Sequence, residues 1–313
     1  MKRVLYLLML LMGALLWSCE EEFIPEITTD PNAIVVEGYI EAGSRATPPF
    51  VILTRSIPFF QNINTDGFDG LFVRDAKVEV TNGDQTVQLT ELCLQELSPE
   101  QQAIAGQLLG FDPDSIAFNF CAYVDLSFSM IGEEGEQYDL RIEAEDKTLT
   151  ASTTIPPHVP LDSLRFIEPP GTPNDTLAEL RIFLADPAGQ RDFYRYQTEI
   201  NSAGFQSPIG SVVDDRLFDG DTFEFPLAKA EDRNAEFDPA TFGLYRRGDQ
   251  VGVKWINIDE PHFNFWNTLE FTLANQGPFS NYTRVDSNIE GGLGIWGGLS
   301  ASYYELEVPE EPE

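Results

Sequence analysis

Along this chain the apolar positions recur mostly with a period of two, in short runs. Residues 33–40 and 50–55 are dense in β-branched and aromatic side chains, and 76–81 alternates between apolar and polar. Such alternation puts one face of a strand on a core and the other toward solvent. Asn82-Gly83 follows at once, the strongest short hairpin signal, and predicts 85–90 as the returning strand. Residues 137–144 and 148–153 form another pair around the turn Glu145-Asp146-Lys147. Beyond residue 160 the strand pattern returns at 161–167, 177–184, 193–200, 222–227, 250–258 and 300–308. Short strands separated by turn residues predict β-sandwiches.

Two stretches carry a helical pattern instead. Ser98 is placed to cap a helix, Pro99 takes its first position and Gln101 lies three residues after the cap, so 98–109 reads as helix and Gly110 stops it. Residues 263–274 place Phe263, Trp266, Leu269 and Leu273 near a 3.6-residue period. The proline-rich stretch 156–160 is a stiff connection. The expected architecture is all-β, with two Ig-like β-sandwich domains and one short helical insertion in the first. The N-terminal sandwich takes 33–155 with the insertion at 93–121. The linker takes 156–160, the C-terminal β-rich domain 161–308 and a tail 309–313.

The first eighteen residues follow a different pattern. Lys2 and Arg3 precede an unbroken apolar run from 4 to 17, shorter than the about 20 residues that span a hydrocarbon core. It reads as a signal peptide. A bulky Trp17 precedes Ser18 and Cys19 where small residues would be expected, so the pattern resembles the bacterial lipobox, in which the thiol is acylated and the chain is cut before it. Cys19 is then the first mature residue, and several acyl chains on it give stable anchoring where one gives only marginal binding. Residues 19–32 form an acidic tether. Its Glu20, Glu21 and Glu22 resemble the surface-export signal of Bacteroidetes lipoproteins, the alternative being a solvated spacer.

Charge narrows the partners. The chain carries 52 acidic and 19 basic residues, a formal charge of −33, and loss of the leader removes two basic residues and no acid. A field of that sign repels nucleic acid and anionic lipid, so neither is an expected partner of the folded part. At 42% hydrophobic and 12% aromatic residues the chain is no disordered acidic tail. Besides Cys19 only Cys93 and Cys121 are present. In an oxidising compartment they read as a disulfide, worth roughly 3 kcal/mol by chain entropy, with free buried thiols as the alternative.

Candidate chemistry is sparse. The glycine-rich run 288–298 lacks the Gly-Lys-Ser/Thr ending of a phosphate loop, and close backbone packing with Ile295 and Trp296 in the core is the favoured reading. Asp214, Asp215, Asp219 and Asp221 cluster around Gly220 and could offer hard oxygen ligands to Ca²⁺. Their order is not that of an EF-hand, and an acidic turn is favoured. His158 and His262 are the only imidazoles, and no Gly-x-Ser-x-Gly elbow accompanies either. No cofactor is expected. Phe59, Phe60, Phe68 and Phe72 lie in a polar, glycine-rich loop, where exposed rings would contact a ligand or partner and buried ones would be core. For His262, Phe263, Phe265 and Trp266, core is the default.

Taken in order, the lipobox cysteine, the segment 35–40, the segment 135–140, Ile155-Pro156-Pro157, the segment 215–220 and the block 287–298 resemble the DUF4249 lipoproteins of Bacteroidetes, a family of unknown function. That resemblance implies an outer-membrane lipoprotein acting beside a TonB-dependent β-barrel transporter, and it supplies no catalytic residue. The resulting expectation is a non-enzymatic, lipid-anchored accessory or ligand-binding protein. The alternatives are an extracellular hydrolase of polysaccharide or peptide, and a structural or adhesion subunit. Cys19→Ala should release the protein from the membrane fraction when lysates are separated by ultracentrifugation; a cleaved variant that stays bound would refute the anchor.

Overall fold

A computed structural model describes residues 33–57, 69–109, 118–171, 175–231, 237–275 and 284–311. Along them the order is β1 (Ile34–Ala42), β2 (Phe50–Arg55), β3 (Lys77–Asn82), β4 (Gln85–Gln88), β5 (Thr90–Cys93), α1 (Pro99–Leu109), β6 (Cys121–Val124), β7 (Gln137–Ala144) and β8 (Lys147–Thr154). There follow β9 (Ser163–Ile167), β10 (Leu177–Ala185), β11 (Phe193–Ile200), β12 (Val212–Asp214), β13 (Thr222–Pro226), β14 (Tyr245–Arg246), β15 (Gln250–Ile258), α2 (Glu260–Ala274) and β16 (Leu293–Glu307). The protein is an all-β sandwich fold with two helices among the described residues.

Three sheets build it. The largest has eight strands in the order β12-β11-β15-β16-β1-β2-β6-β5. A second runs β4-β3-β7-β8, and a third runs β13-β10-β14 with β9 also on β10. Strand β16 is the hinge of this arrangement. Its first half pairs in parallel with β1, from Val35 opposite Leu293 to Ala42 opposite Ser300. Its second half pairs antiparallel with β15, from Ile258 opposite Leu299 to Gln250 opposite Glu307.

Period-two alternation along these strands sorts their side chains into two faces. On one face Ile34, Val36, Val51 and Trp296 pack on Val80, Leu140 and Leu149 of the second sheet. Farther along that face, Tyr194, Val253 and Trp255 pack on Leu180, Ile182 and Tyr245 of the third sheet. Each core holds one fully buried tryptophan whose indole N–H is satisfied: Trp296 Nε1 donates to Tyr138 O and Trp255 Nε1 to Val159 O, both at 3.0 Å.

The second core draws on residues from Val159 onward, while the first also takes Ile289 and Trp296 from near the end of the chain. Strands from both sides of 156–160 share the eight-stranded sheet, so the two expected sandwich halves are built on a common sheet. The stretch is stitched to that sheet and does not hang between domains. Val159 N donates to Asn257 Oδ1 at 3.0 Å, and Leu161 N donates to Tyr304 OH at 2.9 Å.

Local signals explain most elements. Ser98 and Gln101 cap α1 reciprocally: Ser98 N donates to Gln101 Oε1 at 2.9 Å and Gln101 N to Ser98 Oγ at 3.4 Å. Helix α2 begins three residues earlier than its apolar period suggests, because Asp259 caps it by accepting from His262 N at 3.0 Å. Cys93 and Cys121 face each other directly on β5 and β6 and are disulfide-bonded, closing the base of the excursion that holds α1. The first half of β16 is the main departure, since glycines weaken a strand in isolation. Here they admit close neighbours. Gly294 has φ +106°, and a Cβ there would lie 1.9 Å from Val36 O.

Gly294→Ala should therefore lower stability by about 3 kcal/mol or more, since the β1–β16 seam must part to admit a methyl group. Gly83→Ala, at φ +54° with nothing within 4 Å of the added carbon, should lose only about 1 kcal/mol. Urea unfolding midpoints of the two variants separate these outcomes, and equal losses would show that the seam is not tightly closed.

A candidate ligand cleft on the open face of the central sheet

The second face of the eight-stranded sheet meets neither of the smaller sheets. Glu37, Tyr39 and Glu41 of β1, Phe50 and Ile52 of β2, Arg195, Gln197 and Glu199 of β11, Lys254 and Ile256 of β15, and Leu299 and Tyr303 of β16 all point there. Register forces this grouping. Glu37 is opposite Ile52, Tyr39 opposite Phe50, Arg195 opposite Ile256 and Lys254 opposite Tyr303, and directly paired residues share a face. With Ile104 of α1, Trp266 of α2 and the turn at 202–205, they line a cleft of about 970 Å³. One end is floored by Ile256, Ile258, Leu299 and Phe263, which fasten α2 to the sheet.

Most charges in the cleft are matched. Glu41, only 7% exposed, takes Lys254 Nζ on one carboxylate oxygen and Tyr303 OH on the other, each at 2.7 Å. Burial, followed by the Glu41 charge, pushes the Tyr303 phenol far above its ordinary value. Arg45 pairs with Glu305 at 2.8 Å and lies over the Tyr303 ring. Glu199 accepts from Gly204 N at 2.9 Å and fixes the turn beside it. Glu37 differs: it accepts from Tyr39 OH at 3.2 Å, and crowding by surrounding protein pushes its carboxyl upward. Arg195 differs as well, being 7% exposed with its guanidinium 3.5 Å over the Trp266 ring.

Neither histidine is placed as a base in this cleft. His262 is fully buried under Tyr39, with ring centroids 5.5 Å apart. Burial, assisted by the Arg195 charge, pushes it down to about 3, so it stays neutral. His158 lies on the opposite face of the sheet, where its Nε2 meets Ser302 Oγ at 2.5 Å. Ser302 is paired with the core residue Trp255, so this contact belongs to the stitching of residues 156–160. Burial lowers His158 too, and its Nδ1 has no partner among the described residues.

The other sequence candidates scatter. Cys19, Glu20, Glu21, Glu22, Phe59, Phe60 and Phe68 lie outside the described residues. Phe72 is not offered to a ligand: it is 7% exposed and packs on the Cys93–Cys121 disulfide and on Phe118 and Phe120. The aspartate run is divided. Asp214 pairs with Arg216 at 2.5 Å, Asp219 accepts from Gly189 N at 2.8 Å, and Asp221 O accepts from Asp186 N at 3.1 Å. Asp215 turns inward to meet Asp186 and Asp192, their carboxylate oxygens within 4.8 Å of one another. These three buried carboxylates are the donor set that could hold a hard cation, and two of them stood outside the run visible in the sequence. Trp266, for which core is the default from sequence, lines the cleft instead, and Arg195 was not singled out at all. A tryptophan at helical spacing and an arginine in a strand carry no signal until register brings them together.

An all-β protein with an open sheet face and a mixed aromatic and charged cleft is the class this geometry defines. The family model described as a domain of unknown function, DUF4249, matches residues 20–305, and the chain belongs to that family. No curated protein matches the chain significantly.

Burial, together with the charges of Asp186 and Asp219, raises the Asp215 carboxyl above its ordinary value; Asp192 is raised in the same way. A carboxyl raised on folding favours the native state while protonated. That contribution is present below the ordinary carboxylate range and is lost as pH rises through the raised value. Asp215→Asn keeps an acceptor for Asp192 N, which bonds Asp215 Oδ2 at 2.8 Å. The variant should melt a few degrees above the parent at pH 8, with the gap closing toward pH 3 in calorimetry. A variant less stable at pH 8 would overturn the repulsion argument.

Proposed function

We propose that this chain is a lipid-anchored, extracytoplasmic binding protein of the outer membrane that takes a small ligand into the cleft and serves as a non-enzymatic accessory to a TonB-dependent β-barrel transporter. One observation carries the binding reading. A sheet that buries its first face under two other sheets leaves its second face as a concave surface of about 970 Å³, within the size range of small-molecule sites. Half-buried aromatic side chains alternate there with fixed polar groups, the composition that orients a ligand. The Cys19 anchor and the acidic tether support attachment at a membrane surface. Among the described residues no helix is long and apolar enough to cross a membrane.

Binding is favoured over hydrolysis by what the cleft carboxylates already do. Glu41 is committed to Lys254 and Tyr303, and Glu199 to Gly204 N. A glycosidase pair needs one acid free to give a proton and a second carboxylate about 5 to 9 Å away to act as nucleophile or base.

Purification of the lipidated protein from its native membrane, with mass spectrometry of co-purifying chains, tests the accessory role. A large β-barrel should be recovered in stoichiometric amount, and the purified protein should bind members of an oligosaccharide and peptide panel without converting them. Recovery alone together with turnover of a panel member would replace this reading with the hydrolase.

A further inference from the structure

Arg195 is the cation in the cleft that makes no ion pair among the described residues. Lys254 has Glu41 and Arg45 has Glu305, whereas no described carboxylate lies within ion-pairing distance of Arg195. Its Nε donates to Ser211 Oγ at 3.3 Å and its Nη2 to Ser207 Oγ at 2.8 Å, both neutral acceptors. Glu270, the nearby acid that might have neutralised it, spends both oxygens on Ser211, one on the backbone N–H at 2.9 Å and one on the hydroxyl at 2.5 Å. Ser211 therefore links the acid to the guanidinium as a positioning contact, and Glu270 acts on Arg195 only through space. A buried cation with no carboxylate in direct contact is costly unless something pairs with it.

The guanidinium is also held in place. The Trp266 face lies 3.5 Å beneath it, and two hydroxyls fix one edge. Among the described residues Nη1 has no acceptor, so the remaining N–H groups are available on a side chain with little rotamer freedom left to lose. That is the arrangement that suits a planar, bidentate carboxylate. The overall charge of −33 disfavours polyanions, so a single carboxylate is the better match. Glu37 stands within Coulombic range of Arg195 and has no cation of its own, which leaves an acceptor for a donor group on the same ligand.

We infer that Arg195, set on Trp266 by Ser207 and Ser211, receives the carboxylate of a small organic acid in the cleft, and that Glu37 accepts from a hydroxyl or ammonium group of the same molecule. This inference rests on the reading of the cleft as a ligand site and names the class of ligand. Two sources share this chemistry: uronic-acid sugars and the free C-terminal end of amino acids or short peptides.

The test uses the mature chain from residue 20 onward and two matched series. The first is galacturonic acid and its uncharged methyl ester; the second is a dipeptide with a free carboxylate and its C-terminal amide. Calorimetry gives affinities, and the Trp266 indole N–H resonance reports occupancy. In the series that binds, the acid should bind roughly 10- to 100-fold more tightly than its neutral form, as expected for a charge-assisted pair. Which series binds identifies the source. Arg195→Gln should abolish that difference, weakening the acid far more than the neutral form. Because a buried arginine can be needed for folding, Ser207→Ala provides a second variant, expected to narrow the preference for the acid over the neutral form several-fold. Neutral forms that bind as tightly as the acids while shifting Trp266 would overturn the carboxylate site and leave the cleft reading standing. A Trp266 resonance unmoved by every probe would overturn both.

Discussion

The parallel pairing of β1 with the first half of β16 is the constraint on which the rest depends. It joins residues near the start of the folded part to residues near its end, so the chain must complete almost its whole path before the sheet closes. Loop-closure entropy opposes such a contact, and the seam has to be tight to repay it. Its glycines make that possible. Gly294 lets Val36 O approach, Gly297 admits the His262 ring and Gly298 admits Thr153 and Ile155. Trp296, between these glycines, then fills the first core from the one strand that also reaches the second.

That seam determines where the cleft is. Because β16 continues past β1 onto β15, the two half-sandwiches fall on the same side of one sheet, and the other side faces away from both. Strands β1, β11, β15 and β16 thus carry a core face and a cleft face, and their alternation serves both. Tyr194 and Tyr196 enter the second core while Arg195 between them and Gln197 beyond enter the cleft. A one-residue slip of β11 would send Arg195 into the apolar core and a tyrosine into the cleft, so core packing and ligand chemistry hold the register together.

Local elements were readable in the sequence, and their assembly was not. Strands β2, β7, β11 and β15 fall at the expected residues because each is a self-contained alternating run. The reciprocal cap of α1 was equally legible, since Ser98, Pro99 and Gln101 lie within four residues. The Cys93–Cys121 bridge followed from there being two cysteines beyond the leader. What failed required partners distant in sequence. The proline-rich stretch looked like a simple connection because stiffness is a local property, while the bonds of Val159 and the adjoining Leu161 to Asn257 and Tyr304 reach about a hundred residues or more ahead. Phe72 looked like a loop aromatic because nothing beside it reveals the disulfide it covers. The glycine-rich block was read as close packing, which it is, but its strand character comes only from β1.

The candidate site shows the same division in sharper form. Its polar residues were visible as the solvent side of amphipathic strands, at Glu37, Tyr39 and Glu41 and again at Arg195, Gln197 and Glu199. A solvent side and a cleft side are identical in a one-dimensional pattern, because both are simply not core. They differ in how charges are satisfied. On a convex surface water screens an arginine and a missing counter-ion means little. On the floor of this cleft Lys254 has the buried Glu41, and at its exposed rim Arg45 has Glu305, while the buried Arg195 has two hydroxyls and an indole. The chain is rich in acids, with 52 against 19 basic residues, so a carboxylate partner for Arg195 would have been the easiest residue to supply. That no described carboxylate contacts a guanidinium otherwise fixed in place is the physical reason to look for its partner in a ligand.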